Sequence, residues 1–225
     1  MNDICLAAVA AKTPVFIDAE ESWIQDTIDT LAEEMMSLYN KDNAWVSTTV
    51  QLYRHDRLAY LTDLIERSKT KGYQLGVKVV RGAYLEKEND RAEEKGYPTP
   101  MQPNKPATDQ AYNDALRLCI DHFPHVHICA GSHNEASSLL LTELMATKGI
   151  PNDHSNILFS QLLGMSDNIS FNLGHAGYNT AKYVPYGPVK AVMPYLMRRA
   201  QENTSVAGQA GRELQLLSKE RKRRG

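Results

Sequence analysis

A (β/α)8 barrel truncated to about six βα units is the α/β fold class that the sequence predicts. Six β-rich segments have centres near residues 16, 48, 78, 128, 158 and 182, so they recur at intervals of 32, 30, 50, 30 and 24 residues. Each interval has room for a helix, which is the repeat of a parallel sheet. Polar side chains follow nearly every segment, and the carboxyl ends of parallel barrel strands meet at one mouth.

An open doubly wound sheet is the alternative fold. It usually carries a glycine-rich nucleotide fingerprint, and no G-x-G-x-x-G occurs in the chain. A complete barrel has eight strands. The chain begins on a helix with no strand before it, so we interpret the six segments as a barrel that lacks its first two βα units.

The first half of the chain alternates helical and β-rich patterns. We expect a helix over 3–11 and a strand over 14–17. A long amphipathic helix follows, with apolar residues at alternating spacings of four and three: Ile24, Ile28, Leu31, Met35 and Leu38. Residues 45–53 are β-rich and lead into a helix that ends near residue 70. The next strand covers 75–80.

The second half continues the pattern after an insertion. Residues 96–106 hold four of the ten prolines, which predicts a loop and accounts for the interval of 50. Thr108 is a candidate cap for the helix that follows. Strands over 126–130 and 156–160 enclose a leucine-rich helix, and a short helix precedes the last strand, 181–184.

Composition excludes several function classes. Hydrophobic residues make up 42% of the 225 residues and charged residues 23%, which is ordinary for one soluble domain, here a single partial barrel over residues 1–225. The net charge of −2 gives no electrostatic basis for binding nucleic acid. Cys5, Cys119 and Cys129 are odd in number and widely spaced, which indicates free thiols and a cytoplasmic chain.

The helix after the last strand carries a candidate carboxylate receptor. Arg198 and Arg199 are adjacent, and Glu202 lies on the same helix face. Two neighbouring guanidiniums offer planar forks of donors that match a carboxylate. The alternative is a solvated face with an ordinary (i, i+4) pair of Arg198 and Glu202.

Six motifs, in chain order, resemble proline dehydrogenases. They are Asp18-Ala19-Glu20-Glu21, Gln51-Leu52-Tyr53-Arg54, Lys78-Val79-Val80-Arg81-Gly82-Ala83-Tyr84, Ser132-His133-Asn134, Gln161-Leu162-Leu163-Gly164-Met165, and Tyr183 with Arg198, Arg199 and Glu202. The resemblance covers about residues 13 to 205. It implies an FAD-dependent enzyme that oxidises L-proline to Δ1-pyrroline-5-carboxylate and passes electrons to quinone.

The resemblance also assigns roles to residues. Arg198 and Arg199 would bind the proline carboxylate, with Glu202 holding an arginine. Tyr183 would pack against the substrate ring, and Asp18 would orient Tyr183. One of Lys78 and Arg81 would lie near flavin N5 and the other near the phosphates or ribityl chain. The other residues expected to contact FAD are Gln51, Gly82, Ala83, Ser132, His133, Asn134 and Gln161.

Several alternatives accompany these assignments. His125, His127 and Cys129 share one strand face, but such residues are more often packed core than ligands, and we expect no metal site. Asp18 could simply cap the following helix. Without the two front βα units, the chain could be an inactive or split piece that a second chain, or another copy, completes. We interpret the basic tail, 219–224, as a solvated helix end. The resemblance, through its quinone acceptor, leaves a peripheral contact with the inner membrane open. A phosphate-binding aldolase would need a glycine-rich phosphate loop, and the sequence does not supply one.

Overall fold

The structure is a computed structural model that describes residues 1–205 and 217–224; over 198–205 it describes the helix but not the side chains. The strands are β1 Val15–Ile17, β2 Val46–Gln51, β3 Leu75–Val80, β4 Val126–Gly131, β5 Ile157–Leu162 and β6 Thr180–Tyr183. The helices are α1 Asn2–Ala10, α2 Ser22–Tyr39, α3 Arg57–Lys71, α4 Leu85–Lys95, α5 Lys105–Asp121, α6 Glu135–Thr147, α7 Asp167–His175 and α8 Val189–Ser205.

The six strands are all parallel and pair in their chain order, from β1 to β6. They form a curled half-barrel in which helices alternate with strands. The predicted barrel type, truncated to six βα units, is therefore confirmed. Within the residues that the structure describes, the outer edges of β1 and β6 pair with no further strand.

The two faces of the sheet differ in polarity. The helix-facing side carries the apolar core, which includes Val46, Val50, Leu75, Val77, Val79, Val126, Ile128, Ile157 and Phe159. Successive side chains of a strand point to opposite faces. The strand register therefore aligns Thr49, Lys78 and Cys129 in one row on the other, concave face. Polar side chains thus line the inside of the half-barrel.

Helix α2 packs on a face that overlaps only in part with the one that its apolar spacing predicts, because Met35 is buried and Ile28 is half-buried. Ile24, Leu31 and Leu38 are exposed, whereas Gln25 and Asp29 are buried. The carboxylate of Asp29 forms an ion pair with Arg57 of α3, and the amide of Gln25 donates to the same carboxylate. A buried charge needs such partners. The inward face of α2 therefore combines Gln25 and Asp29 with the apolar Ala32, Met35 and Met36, and the apolar stripe Ile24–Leu31–Leu38 faces outward.

The long interval between β3 and β4 contains two helices, α4 and α5, as well as the proline-rich loop. Asn104, and not Thr108, caps α5, because the Asn104 side chain accepts a hydrogen bond from the Ala107 amide at 2.9 Å. The extra helix, rather than the loop alone, accounts for the interval.

Four consecutive contacts tie the segment after β1 to the start of α4; we call them the loop clamp. The pairs are Glu20–Tyr84, Glu21–Lys87, Ser22–Glu88 and Trp23–Arg91. Glu88 is fully buried and accepts hydrogen bonds from the Ser22 amide at 2.5 Å and the Ser22 hydroxyl at 2.7 Å. It therefore satisfies an amide at the start of α2 that the helix itself leaves unpaired.

We expect Glu88→Ala to lower the free energy of unfolding by about 2–3 kcal/mol, because a charged hydrogen bond is lost and a buried amide is left without a partner. Glu88→Gln keeps one accepting oxygen and should cost less. Urea unfolding followed by circular dichroism measures both. Glu86→Ala, at an exposed position in the same turn of α4, is the control. Equal effects at 86 and 88 would show that the clamp adds no stability.

The Cα framework divides into two compact units, Met1–Tyr183 and Val184–Gly225. The first contains the whole sheet. The second contains α8, which has Pro194 inside it, and residues 217–224 are also helical. None of the described helices is long and apolar enough to cross a membrane.

Candidate active site

Asp18 and Lys78 form an ion pair on the concave side of the half-barrel. Asp18 follows the end of β1, and Lys78 lies within β3 between apolar neighbours. The Lys78 ammonium is also 5.6 Å from the centre of the Phe16 ring. The Thr49 hydroxyl, next to Lys78 in the strand register, lies 3.5 Å from Asp18 Oδ1. Asp18, Lys78 and Tyr183 are the three residues predicted to be catalytic. The structure brings the first two together and gives the lysine an anionic partner.

Cys129 is the neighbour of Lys78 on β4. Burial raises the pKa of the Cys129 thiol to about 11, against the opposing effect of the Lys78 charge. The thiol therefore stays neutral near pH 7 and does not compete with Asp18 for the ammonium.

The histidines of β4 have separate surroundings. His125, just before the strand, has Nε2 2.7 Å from the Ser68 hydroxyl of α3. Burial, together with the smaller effects of the nearby His154 and His125, lowers the pKa of His127 to about 4. Among the residues with described positions, no group of three or more His, Cys, Asp or Glu side chains could hold a metal ion.

The low pKa of His127 predicts acid sensitivity. An unfolded histidine has a pKa of about 6.5. Between pH 6.5 and about pH 4, His127 is therefore protonated in the unfolded chain but neutral in the folded chain. The contribution of His127 to stability is therefore complete above pH 6.5 and is lost as the pH falls towards 4. We expect His127→Gln to flatten the decline of urea midpoints across this range. The exposed His175 supplies the control, His175→Gln, which should leave the decline unchanged.

Arg81 lies just beyond β3 and is held by three side chains. Its Nε donates to Asp109 at 2.6 Å, its Nη1 to Ser132 at 2.8 Å and its Nη2 to Ser137 at 3.0 Å. The guanidinium also lies over the ring of Tyr112, 4.4 Å from its centre. A cation is thus fixed beside the start of α6, and the positive end of a helix dipole also favours an anion.

Residues that follow β4, and Gln161 near the end of β5, form a second cluster with Arg81. Ser132 accepts from the Asn134 amide at 3.0 Å, and Asn134 caps α6 through the Ser137 amide at 3.1 Å. The Gln161 amide donates to the Ser132 carbonyl at 3.2 Å and accepts from Ser170 of α7 at 2.8 Å. His133 Nδ1 lies 3.0 Å from the Ser166 hydroxyl.

The remaining predicted cofactor residues lie at the ends of β2 and β3. The Gln51 amide donates to the Glu20 carbonyl at 2.7 Å, which joins β2 to the segment that carries Asp18. Gly82 has a φ of +137°, and a Cβ there would lie 2.4 Å from the Tyr53 ring. Ala83 follows it at an exposed position.

The predicted substrate residues are described only in part. Tyr183 ends β6, and its side chain is 43% exposed. The side chains of Arg198, Arg199 and Glu202 lie outside the described residues, so the predicted carboxylate receptor has no described geometry.

Sequence reasoning missed several members of the two clusters. Thr49 could have been found, because it lies two residues before Gln51 and therefore on the same strand face. Asp109 and Tyr112 are three residues apart, which places both on one face of α5. No local signal connects Glu88 to Ser22, since 66 residues separate them.

Comparison with known proteins identifies relatives over the whole chain. Residues 1–212 match the family described as proline dehydrogenase. Proline dehydrogenase 1, mitochondrial, of Homo sapiens is 41% identical over 221 residues, which are 96% of this chain and 37% of that protein. Hydroxyproline dehydrogenase of Bos taurus is 40% identical over 224 residues, 96% of this chain and 48% of that protein.

The solved structure of proline utilization A (PutA) from Bdellovibrio bacteriovorus, inactivated by N-propargylglycine, has the same fold over 92% of this chain and 21% of that one. Its TM-score is 0.85 at 24% sequence identity. The chain spans between 34% and 50% of the length of the curated relatives that it matches.

The predicted cytoplasmic location is wrong, because four of the relatives are named as mitochondrial proteins. Cys5, Cys119 and Cys129 are indeed free and buried. Free thiols indicate a reducing environment, but they do not distinguish one reducing compartment from another.

Proposed function

The chain belongs to the proline dehydrogenase family, and on that premise we propose that it takes part in oxidising L-proline to Δ1-pyrroline-5-carboxylate, with hydride transfer to FAD and electrons passed to a quinone. The oxidation removes a hydride from the carbon beside the ring nitrogen and a proton from that nitrogen. The observation that carries the proposal is the Asp18–Lys78 pair, which lies at the strand ends inside the half-barrel.

The donor set at the strand ends suits FAD. Lys78 within β3 and Arg81 just beyond it provide two cations, and Asn134 caps a helix beside Arg81. FAD, when bound, supplies the hydride acceptor. The arginine and the helix start suit its diphosphate, so we assign Arg81 to the phosphate side and Lys78 to the flavin ring. The other residues proposed to contact FAD are Gln51, Gly82, Ala83, Ser132, His133, Asn134 and Gln161.

Lys78 and Asp18 act as one unit in this proposal. Asp18 holds the Lys78 ammonium in place, and a fixed cation beside the ring stabilises negative charge that develops there during the reaction. Because the loop clamp anchors the segment that carries Asp18, the position of the ammonium depends on α4 as well as on β3.

The substrate side of the proposal rests on the family resemblance. Tyr183 would pack against the ring of proline, and Arg198 and Arg199, supported by Glu202, would bind its carboxylate. The quinone acceptor, with the membrane surface that a quinone implies, rests on the same resemblance, and so does a single barrel domain over residues 1–225.

A second candidate is a chain that is inactive alone and needs a second polypeptide, or another copy, to complete the barrel. Two observations favour it. Over the described residues, neither outer edge of the sheet is paired, and open edges invite further strands. The apolar stripe Ile24–Leu31–Leu38 of α2 is also exposed, as expected for a helix that packs against a neighbour.

The experiment compares the chain alone with the chain co-produced with the front two βα units of a relative. We expect the combination to bind FAD and to reduce an artificial electron acceptor with L-proline. Lys78→Met should lower kcat/KM by about 100-fold or more. Lys71→Met, in which the lost ammonium pairs with Glu33 of α2, should leave kcat/KM unchanged.

The outcomes separate the candidates. A combination that binds FAD but shows no proline-dependent reduction contradicts the proposed reaction. Full activity of the chain alone contradicts the second candidate. Because relatives of similar identity are named for hydroxyproline, 4-hydroxy-L-proline is assayed in parallel, and we expect L-proline to be the better substrate.

A further inference from the structure

Asp109 of α5 makes a contact to Arg81 that no strand-end motif includes. Its Oδ1 accepts from Arg81 Nε at 2.6 Å, and its Oδ2 accepts from Lys105 at 2.5 Å. Both oxygens are therefore engaged, one by the site cation and one by a lysine a turn earlier on the same helix. Burial alone would raise the pKa of Asp109, but the hydrogen bonds from Lys105 and Arg81 outweigh it and lower the pKa.

The guanidinium of Arg81 is fixed in direction as well as in place. Asp109 accepts a hydrogen bond from Nε, and Ser132 and Ser137 each accept one from a terminal nitrogen. The buried ring of Tyr112 packs against one face of the guanidinium. An arginine has five N–H bonds, so these three hydrogen bonds leave two N–H bonds on the terminal nitrogens for a ligand.

We propose that Asp109 is a positioning residue, which aims these two N–H bonds of Arg81 at the phosphate oxygens of a bound dinucleotide. The inference rests on the proposed FAD function. Asp109 itself touches no ligand, and it acts only through Arg81.

The direction in which the affinity for FAD changes when Asp109 is removed distinguishes a positioning role from simple charge repulsion. A carboxylate near a phosphate repels it, so removing Asp109 without any loss of order at Arg81 would tighten the binding of an anion. Loss of a positioning contact has the opposite effect, because a freed arginine side chain must be immobilised again when the ligand binds.

The test measures FAD binding to the 225-residue chain and its variants by quenching of flavin fluorescence. We expect Asp109→Ala to raise the Kd for FAD about tenfold, as for one lost charged hydrogen bond. Asp109→Asn keeps the shape of the side chain and should raise the Kd less. Asp114→Ala is the control, because Asp114 lies on the same helix and pairs with Arg117 instead.

A double-mutant cycle tests whether Asp109 acts through Arg81. In an Arg81→Ala background, Asp109→Ala should change the Kd no further. An unchanged or lower Kd for Asp109→Ala, or an equal loss in both backgrounds, overturns the inference.

A second measurement needs no cofactor. In proton–nitrogen correlation spectra, Arg81 Nε–H should give a slowly exchanging signal that Asp109→Ala abolishes and Asp114→Ala retains. If the chain alone binds no FAD, the Kd values are compared on the chain co-produced with the front two βα units. If that combination also binds no FAD, the proposed function is contradicted, and the inference about Asp109 is then decided by this signal. A signal that persists in Asp109→Ala overturns it.

Discussion

Asp29→Ala is expected to lower the free energy of unfolding by about 3–5 kcal/mol, the cost of removing one partner of a buried ion pair. Asp29 Oδ2 lies 2.7 Å from Arg57 Nη2, and the two side chains are 8% and 3% exposed. The Arg57 guanidinium also lies over the Tyr60 ring, 3.7 Å from its centre. Without Asp29, the charge of Arg57 stays buried with no counter-charge.

Urea unfolding measures this loss, and two controls define it. Asp26→Ala removes an exposed carboxylate from the same helix and should change the free energy of unfolding by less than about 0.5 kcal/mol. The double variant Asp29→Leu with Arg57→Met removes both charges, so it should be far more stable than Asp29→Ala. A cost below about 1 kcal/mol for Asp29→Ala would falsify the view that this pair is desolvated.

Gly82→Ala is expected to cost about 2–6 kcal/mol for two separate reasons. The φ of +137° is strained for any residue with a Cβ, and the added Cβ would lie 2.4 Å from Cδ1 of Tyr53. Backbone strain of this kind costs about 1–3 kcal/mol. Displacing a packed ring adds about 1–3 kcal/mol, and Tyr53 is only 4% exposed.

Gly72→Ala isolates the backbone part of this cost. Gly72 has a φ of +66°, but nothing lies within 4 Å of the position that a Cβ would take there, so alanine at this site should cost about 1–2 kcal/mol. Thermal and urea unfolding of both variants give the difference. If the two substitutions lower the free energy of unfolding equally, the Tyr53 ring moves aside freely and its close packing against Gly82 adds no stability.

The sheet could be predicted from the sequence because its signals are local. Strand spacing and the polar residues after each strand are enough to find six parallel strands and their mouth. The inward face of α2 could not be predicted in this way. Its apolar spacing favoured Ile24 and Leu31, but Asp29 finds its counter-charge in Arg57, 28 residues further along the chain, and that pairing exists only after folding.

Some residues of the candidate site could likewise be predicted from the sequence, and others could not. Asp18, Lys78, Arg81 and Ser132 could be found from strand ends and motifs. In the structure Asp18 contacts Lys78, and Arg81 contacts Ser132. Asp109 lies on α5, which belongs to the long interval between β3 and β4. No spacing rule links such a helix to a strand end, so its partners become visible only in three dimensions.

The lengths of the strands also set where the sheet is weakest. β1 has three residues and β6 has four, whereas each of the four strands between them has six. Short outermost strands have few main-chain hydrogen bonds and open first, so amide hydrogens of β1 and β6 should exchange with deuterium sooner than those of β3 and β4. Asp18 follows one of these strands and Tyr183 ends the other. The two outermost strands of the half-barrel, next to Asp18 and Tyr183, can therefore open locally while the central strand that holds Lys78 stays closed.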